Sequence, residues 1–83
     1  MQTTRYFEEQ VLRKRPYLSV SLCEQVIAAP IARTTQDDGR IRLWGHVVDP
    51  RDGQVRVLRV ILLEDDATLH NAFFDRSFRQ DSP

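Results

Sequence analysis

The sequence predicts an α+β domain, two N-terminal helices packed on a twisted four-stranded antiparallel meander. Three observations lead there. Apolar residues recur at helical spacing up to Pro30 and at alternating spacing after it. Turn signals at Asp37-Asp38-Gly39, Asp49-Pro50-Arg51-Asp52-Gly53 and Glu64-Asp65-Asp66-Ala67 divide the second half into strands joined by hairpin-length loops. With 83 residues the chain can bury only about 60% of its unfolded surface, so one core and one domain are expected over residues 1–83, ordered over residues 4–79.

The first helix is expected over residues 4–14. Phe7 and Val11 stand four apart, Glu8 and Glu9 fall early, and Arg13, Lys14 and Arg15 fall late, in the charge order that suits the helix dipole. Pro16 ends it by disfavouring helical geometry at Arg15. A second helix starts at Ser19 or Ser21, where Ser21-Leu22-Cys23-Glu24 fits the S-x-x-E capping box. Leu22, Val26, Cys23 and Ile27 form its apolar face, and Ala29-Pro30 closes it.

A short strand follows over residues 31–36. The next run is firmer, with Ile41, Leu43 and Val47 pointing one way and Arg40, Arg42, Trp44, His46 and Val48 the other; Gly45 marks a bulge or a close backbone approach. Residues 54–63 form the longest and most apolar strand, which is therefore central. Residues 68–74 are the last strand, with His70, Ala72 and Phe74 on one face and Leu69, Asn71 and Phe73 on the other. An arginine-bearing tail follows, its last residues frayed. One face of the sheet takes the helices and the other is left open for function or for a partner.

The composition, 41% apolar and 29% charged, is that of a globular chain. A domain this small leans on disulfides, metal or a partner, yet Cys23 is the single cysteine and no Cys/His cluster has zinc spacing. No metal and no cofactor are expected, and a partner is. The lone cysteine, the missing signal peptide and the missing long apolar run predict a cytoplasmic protein that does not span or bind a membrane. Formal charge is zero, but eleven of the twelve basic residues are arginine, whose planar fork suits phosphate and whose face stacks on bases. GC-rich codon usage produces the same bias without any function.

Phosphate-cradling glycine loops and nucleophile elbows are missing from the sequence. What remains suits metal-independent phosphodiester cleavage, which needs a base, an acid and cations around the pentavalent transition state. The kit is His70 and His46, the arginines at 40, 42, 56, 59, 76 and 79, and the acids Glu64, Asp65, Asp66 and Asp75, with histidine suited to acid or base and arginine to the cations. Arg40, Arg42 and Arg79 are candidates for substrate phosphate, and Trp44 for stacking on a base. Each has a structural alternative. His70 also fits a histidine bonded to backbone. Arg59, interrupting the apolar central strand, must find a phosphate, the open face, or an acid such as Glu64, because unpaired burial costs several kcal/mol. Trp44 equally suits a large hydrophobe covered by a protein partner.

Several segments carry a resemblance to a known family: Tyr6-Phe7-Glu8 with Val11-Leu12-Arg13-Lys14-Arg15-Pro16-Tyr17, Cys23-Glu24-Gln25-Val26, Asp38-Gly39-Arg40-Ile41-Arg42-Leu43-Trp44-Gly45, Leu58-Arg59-Val60, His70-Asn71-Ala72-Phe73 and Asp75-Arg76-Ser77-Phe78. Together they resemble uncharacterised domains related to the RelE, ParE and BrnT-like toxins of bacterial type II toxin–antitoxin pairs. The resemblance implies a RelE-like fold, a toxin cleaving mRNA through His70, Arg59 and Arg76, RNA as substrate and a small antitoxin covering the sheet. It extends to gyrase inhibitors that cleave no RNA. The competing expectation is a non-catalytic protein-binding module, or a homodimer closed over Trp44, which zero net charge and small size favour.

Overall fold

A computed structural model describes residues 1–79; the expected fraying falls on residues 80–83, outside the described residues. Helix α1 runs over residues 5–14. Thr4 starts it, its hydroxyl accepting the Phe7 amide at 3.0 Å and its carbonyl the Glu8 amide at 3.2 Å. The segment Phe7–Val11 is a π-turn in which the Leu12 amide donates to the Phe7 carbonyl, before α-helical geometry resumes over Leu12–Lys14. Phe7 and Val11 both reach the core from this turn. Arg15, ahead of Pro16, leaves the helical region at φ −125° and ψ 70°.

Helix α2 is Val20–Ala28. Its cap is Ser19, extended at φ −144° and ψ 161°, with the hydroxyl accepting the Leu22 amide at 3.1 Å. The expected Ser21–Glu24 box is thus corrected: Ser21 lies inside the first turn, one residue past the helix start, and Ser19 is the cap. Ser19→Ala should cost about 1 kcal/mol in urea unfolding, whereas Ser21→Ala should cost only a few tenths. Cys23 and Val26 face inward, and Ala29 closes the helix before Pro30. Burial pushes the Cys23 thiol up to about 12, with Glu24 adding to it, so this cysteine packs and does not react.

The strands are β1 (Ala32–Thr35), β2 (Ile41–Val48), β3 (Val55–Leu62) and β4 (Leu69–Phe74), antiparallel and in the spatial order β1-β2-β3-β4. The register pairs Leu43 with Val60 and Val60 with Ala72, placing these with Ile41, Val47, Leu58 and Leu62 on the face that α1 and α2 cover. Gly45 shares this face and lets α2 approach. A Cβ there would lie 3.2 Å from Val26 Cα and 3.1 Å from Val26 Cγ1.

The last strand departs from strict alternation. The ladder steps from Ile61–Asn71 to Leu62–Leu69, so His70 is an extra, bulged residue. Leu69 therefore joins the core instead of sharing a face with Asn71 and Phe73, which corrects the expected parity. The outer edge of β4 is covered at its start: the Leu69 amide donates to Gln2 O and the Thr4 amide to Leu69 O, both at 2.9 Å. Farther along, the Ala72 amide donates to Asn71 Oδ1 at 2.8 Å. These contacts blunt strand addition at that edge.

Candidate functional site

The face opposite the helices carries Arg42, Trp44, His46 and Val48 from β2, Val55, Val57, Arg59 and Ile61 from β3, and Asn71 and Phe73 from β4. It has two halves. At the β2–β3 hairpin end Val48 and Val55 stand directly opposite one another, 55% and 64% exposed. His46 is exposed as well, whereas the part around Trp44 is roofed, and Trp44 keeps only 8% of its surface in solvent.

The roof is the chain itself. After β4 the Asp75 amide donates to Val57 O at 3.0 Å, and the backbone then bends, with Asp75 Oδ1 accepting the Ser77 amide and hydroxyl. This bend lays Phe78 on Trp44, ring centroids 5.3 Å apart and planes within 26°. The Trp44 indole N–H donates to Asp75 Oδ2 at 3.0 Å, and that bond holds the Asp75 carboxyl below its ordinary range against the opposing effect of burial. Beneath lies Arg59, its guanidinium 5.3 Å from the Trp44 ring centre and 5.2 Å from that of Phe73. Among the described residues the acid it pairs with is Asp75, at 4.0 Å, not Glu64. Among the described residues, the buried Arg59 Nε has no hydrogen-bond partner. Arg42 lies 5.9 Å from the Trp44 ring and donates to Thr34 Oγ1 at 2.9 Å.

A second charged cluster sits at the β2–β3 hairpin. Asp49 is fully buried, accepts the Arg51 Nε and Nη2 as a fork and receives Arg56 Nη1 at 3.0 Å. The Arg51 hydrogen bonds hold this carboxyl far below its ordinary range, outweighing burial. Arg56 is also bonded to Asp52, while Arg51 lies 3.9 Å over Tyr17. Beside the cluster, a cleft of about 380 Å³ is lined by Arg56, Val57, Phe74, Asp75 and Arg76. The guanidinium of Arg79 turns back on the chain, donating to the Phe78 carbonyl at 3.1 Å.

His70 lies elsewhere. The bulge turns it to the helix side, where its ring stacks on Tyr6 at 5.0 Å and its Nδ1 lies 3.0 Å from Thr4 Oγ1. The same oxygen accepts the Phe7 amide, so one hydroxyl ties the start of α1 to the imidazole. Burial, then the charge of Arg40, pushes the imidazole below its ordinary value of 6.5. Arg40 itself lies 3.7 Å from Asp38.

The fold thus brings Trp44, Arg59 and Arg42 together, sets Arg76 at the cleft, and leaves His70 across the sheet from Arg59. Asp49 and Phe78 are not singled out as functional by the sequence, and Asp75 figures there only as one of several acids. Asp49 reads there as one more turn residue, and only the spacing of an acid and an aromatic in Asp75-Arg76-Ser77-Phe78 hints at a strap. Among the described residues no three His, Cys, Asp or Glu side chains are grouped to hold a metal, and no helix is long and apolar enough to cross a membrane. The fold and site define a helix-backed antiparallel sheet bearing an aromatic–arginine cluster. No protein-family model, curated protein or solved structure matches the chain.

Proposed function

We propose that this domain is a non-catalytic protein-binding module whose open sheet face receives a partner. The observation that carries it is the Val48–Val55 pair, two large aliphatic side chains directly opposed and more than half exposed on a central strand pair. Nothing in the described chain covers this pair. The kit for RNA cleavage supports a weaker alternative. Acid–base catalysis needs its proton donor within hydrogen-bond reach of the atoms its cations stabilise, whereas His70 keeps company with Thr4 and Tyr6, and Arg59 with Trp44 and Phe73.

A photoreactive residue at position 48, introduced into the protein expressed in cells, should give an adduct of discrete mass that Val55→Lys abolishes. An adduct of twice the chain mass identifies the partner as a second copy. Recovery of uncrosslinked chain alone overturns the reading. Kinship with the RelE, ParE and BrnT-like toxins remains a proposal carried by the sequence resemblance; under it the partner is an antitoxin. Growth arrest on expression of the chain alone, relieved by His70→Ala or Arg59→Ala, would restore the mRNA-cleaving toxin in place of the module.

A further inference from the structure

The roofed half of the open face holds a ligand already, supplied in cis. Residues 75–78 present a carboxylate to the Trp44 indole N–H and to Arg59, and, three positions on, an aromatic ring to the Trp44 face. Among the described residues the last backbone bond to the sheet is Asp75 N to Val57 O; beyond it the strap is tied to the sheet by side chains. Lifting it would break no ladder, and would uncover Trp44, which lies outside the helix-side core cluster. What it covers is electropositive and aromatic: Arg59 between Trp44 and Phe73, with Arg42 at the rim. Asp75 satisfies this surface only in part. Its contact to Arg59 is 4.0 Å long, beyond hydrogen-bond range, and Arg59 Nε has no partner among the described residues.

From this geometry we infer that the Trp44–Arg59 surface is a docking site for a partner protein's segment bearing a carboxylate followed three residues later by an aromatic, and that residues 75–78 occupy it as a displaceable self-ligand. A longer or better-placed acid in the incoming segment would reach the guanidinium that Asp75 leaves at arm's length, which is what lets a partner compete with a covalently attached strap. The strap sets a threshold: it lowers the apparent affinity of any incoming segment by the fraction of time the site is open. The inference deepens the binding-module reading by naming the partner's chemistry, yet it concerns a different half of the face from Val48 and Val55.

Trp44 is the chain's single tryptophan, so its fluorescence reports the site directly. In Phe78→Ala the emission should shift to the red and become more accessible to a neutral quencher. The synthetic peptide Asp-Arg-Ser-Phe-Arg added in trans should reverse both changes. It should bind the wild-type chain at least about 10-fold more weakly, because the strap competes. Peptides with Phe→Ala or Asp→Asn should fail to bind, as should the parent peptide on an Arg59→Gln, Phe78→Ala chain. Equal binding to wild type and variant, or no binding to the variant, overturns the inference. Phe78→Leu serves as a second variant; if both lose their fold by circular dichroism, the strap is structural and the inference falls. Peptide binding without a crosslink at position 48 would spare this site while sinking the Val48–Val55 interface.

Discussion

Asp49→Ala should lower the melting temperature by at least about 10 °C, or abolish cooperative unfolding, the largest loss expected of any single substitution here. The carboxylate has no exposed surface, yet it accepts the Arg51 backbone amide, the Arg51 fork and Arg56. Removing it leaves two guanidiniums side by side with their common counter-charge gone. The damage also spreads beyond the hairpin. The fork aims Arg51 over Tyr17, which stacks on Phe74, so Asp49 indirectly ties the connection between the helices to the last strand. Asp49→Asn should fall between wild type and alanine, since its amide keeps one acceptor but turns a donor toward the arginines. A differential scanning experiment reading a loss under a few degrees for Asp49→Ala would contradict this account.

The same residue governs acid stability. Its folded value lies below the ordinary carboxylate value of 3.8, so the stabilisation is complete above that value and is lost as pH falls through the depressed one. Asp52 and Asp75, lowered chiefly by bonds from Arg56 and Trp44, act in the same direction. His70 adds a term of the same sign at higher pH: neutral in the fold, with its value pushed below 6.5, it resists protonation and withdraws its stabilisation as pH falls. Stability should therefore decline from mildly acidic pH and then steeply below about pH 4. In Asp49→Ala the steep limb should flatten.

Gly45→Ala should destabilise by about 1–3 kcal/mol, although alanine suits a strand better than glycine does. The reason is the backbone of α2: the added methyl would press on Val26 at Cα as well as at Cγ1, and a backbone atom cannot rotate away. Gly45→Val should cost more. Val26→Ala, combined with Gly45→Ala, should recover part of the loss by removing the Cγ1 contact, so that a double-mutant cycle yields a favourable coupling. Urea unfolding at or above wild-type stability for Gly45→Ala would show that the helix rides farther from the sheet.

How much of this was legible beforehand depends on the range of the forces involved. The helix ending at Pro16, the strand boundaries set by three acidic turns, and the inward row of Ile41, Leu43 and Val47 are local, and the residues that cause them are neighbours in the chain. Gly45 marks a bulge or a close approach in the sequence, and the fold makes it the approach of α2 at Val26. The bulge at His70 did not show itself, because it depends on how β4 registers against β3, and that one-residue offset moved Leu69 to the core and His70 to the helix side. Arg59, interrupting an apolar strand, shows in the sequence as a residue that must find company. Which company it found, two aromatic rings and the acid of a returning tail, depended on strands more than ten residues apart.

By itself, then, the sequence determined that two short helices precede a four-stranded antiparallel sheet, because periodicity and turn chemistry act over a few residues. Only the tertiary structure decided that the open face is half roofed by its own tail, that Asp49 is a buried hub and that His70 and Arg59 lie across the sheet from each other. Those outcomes follow from strand register and chain reversal, which bring together charges and rings that the linear order keeps apart.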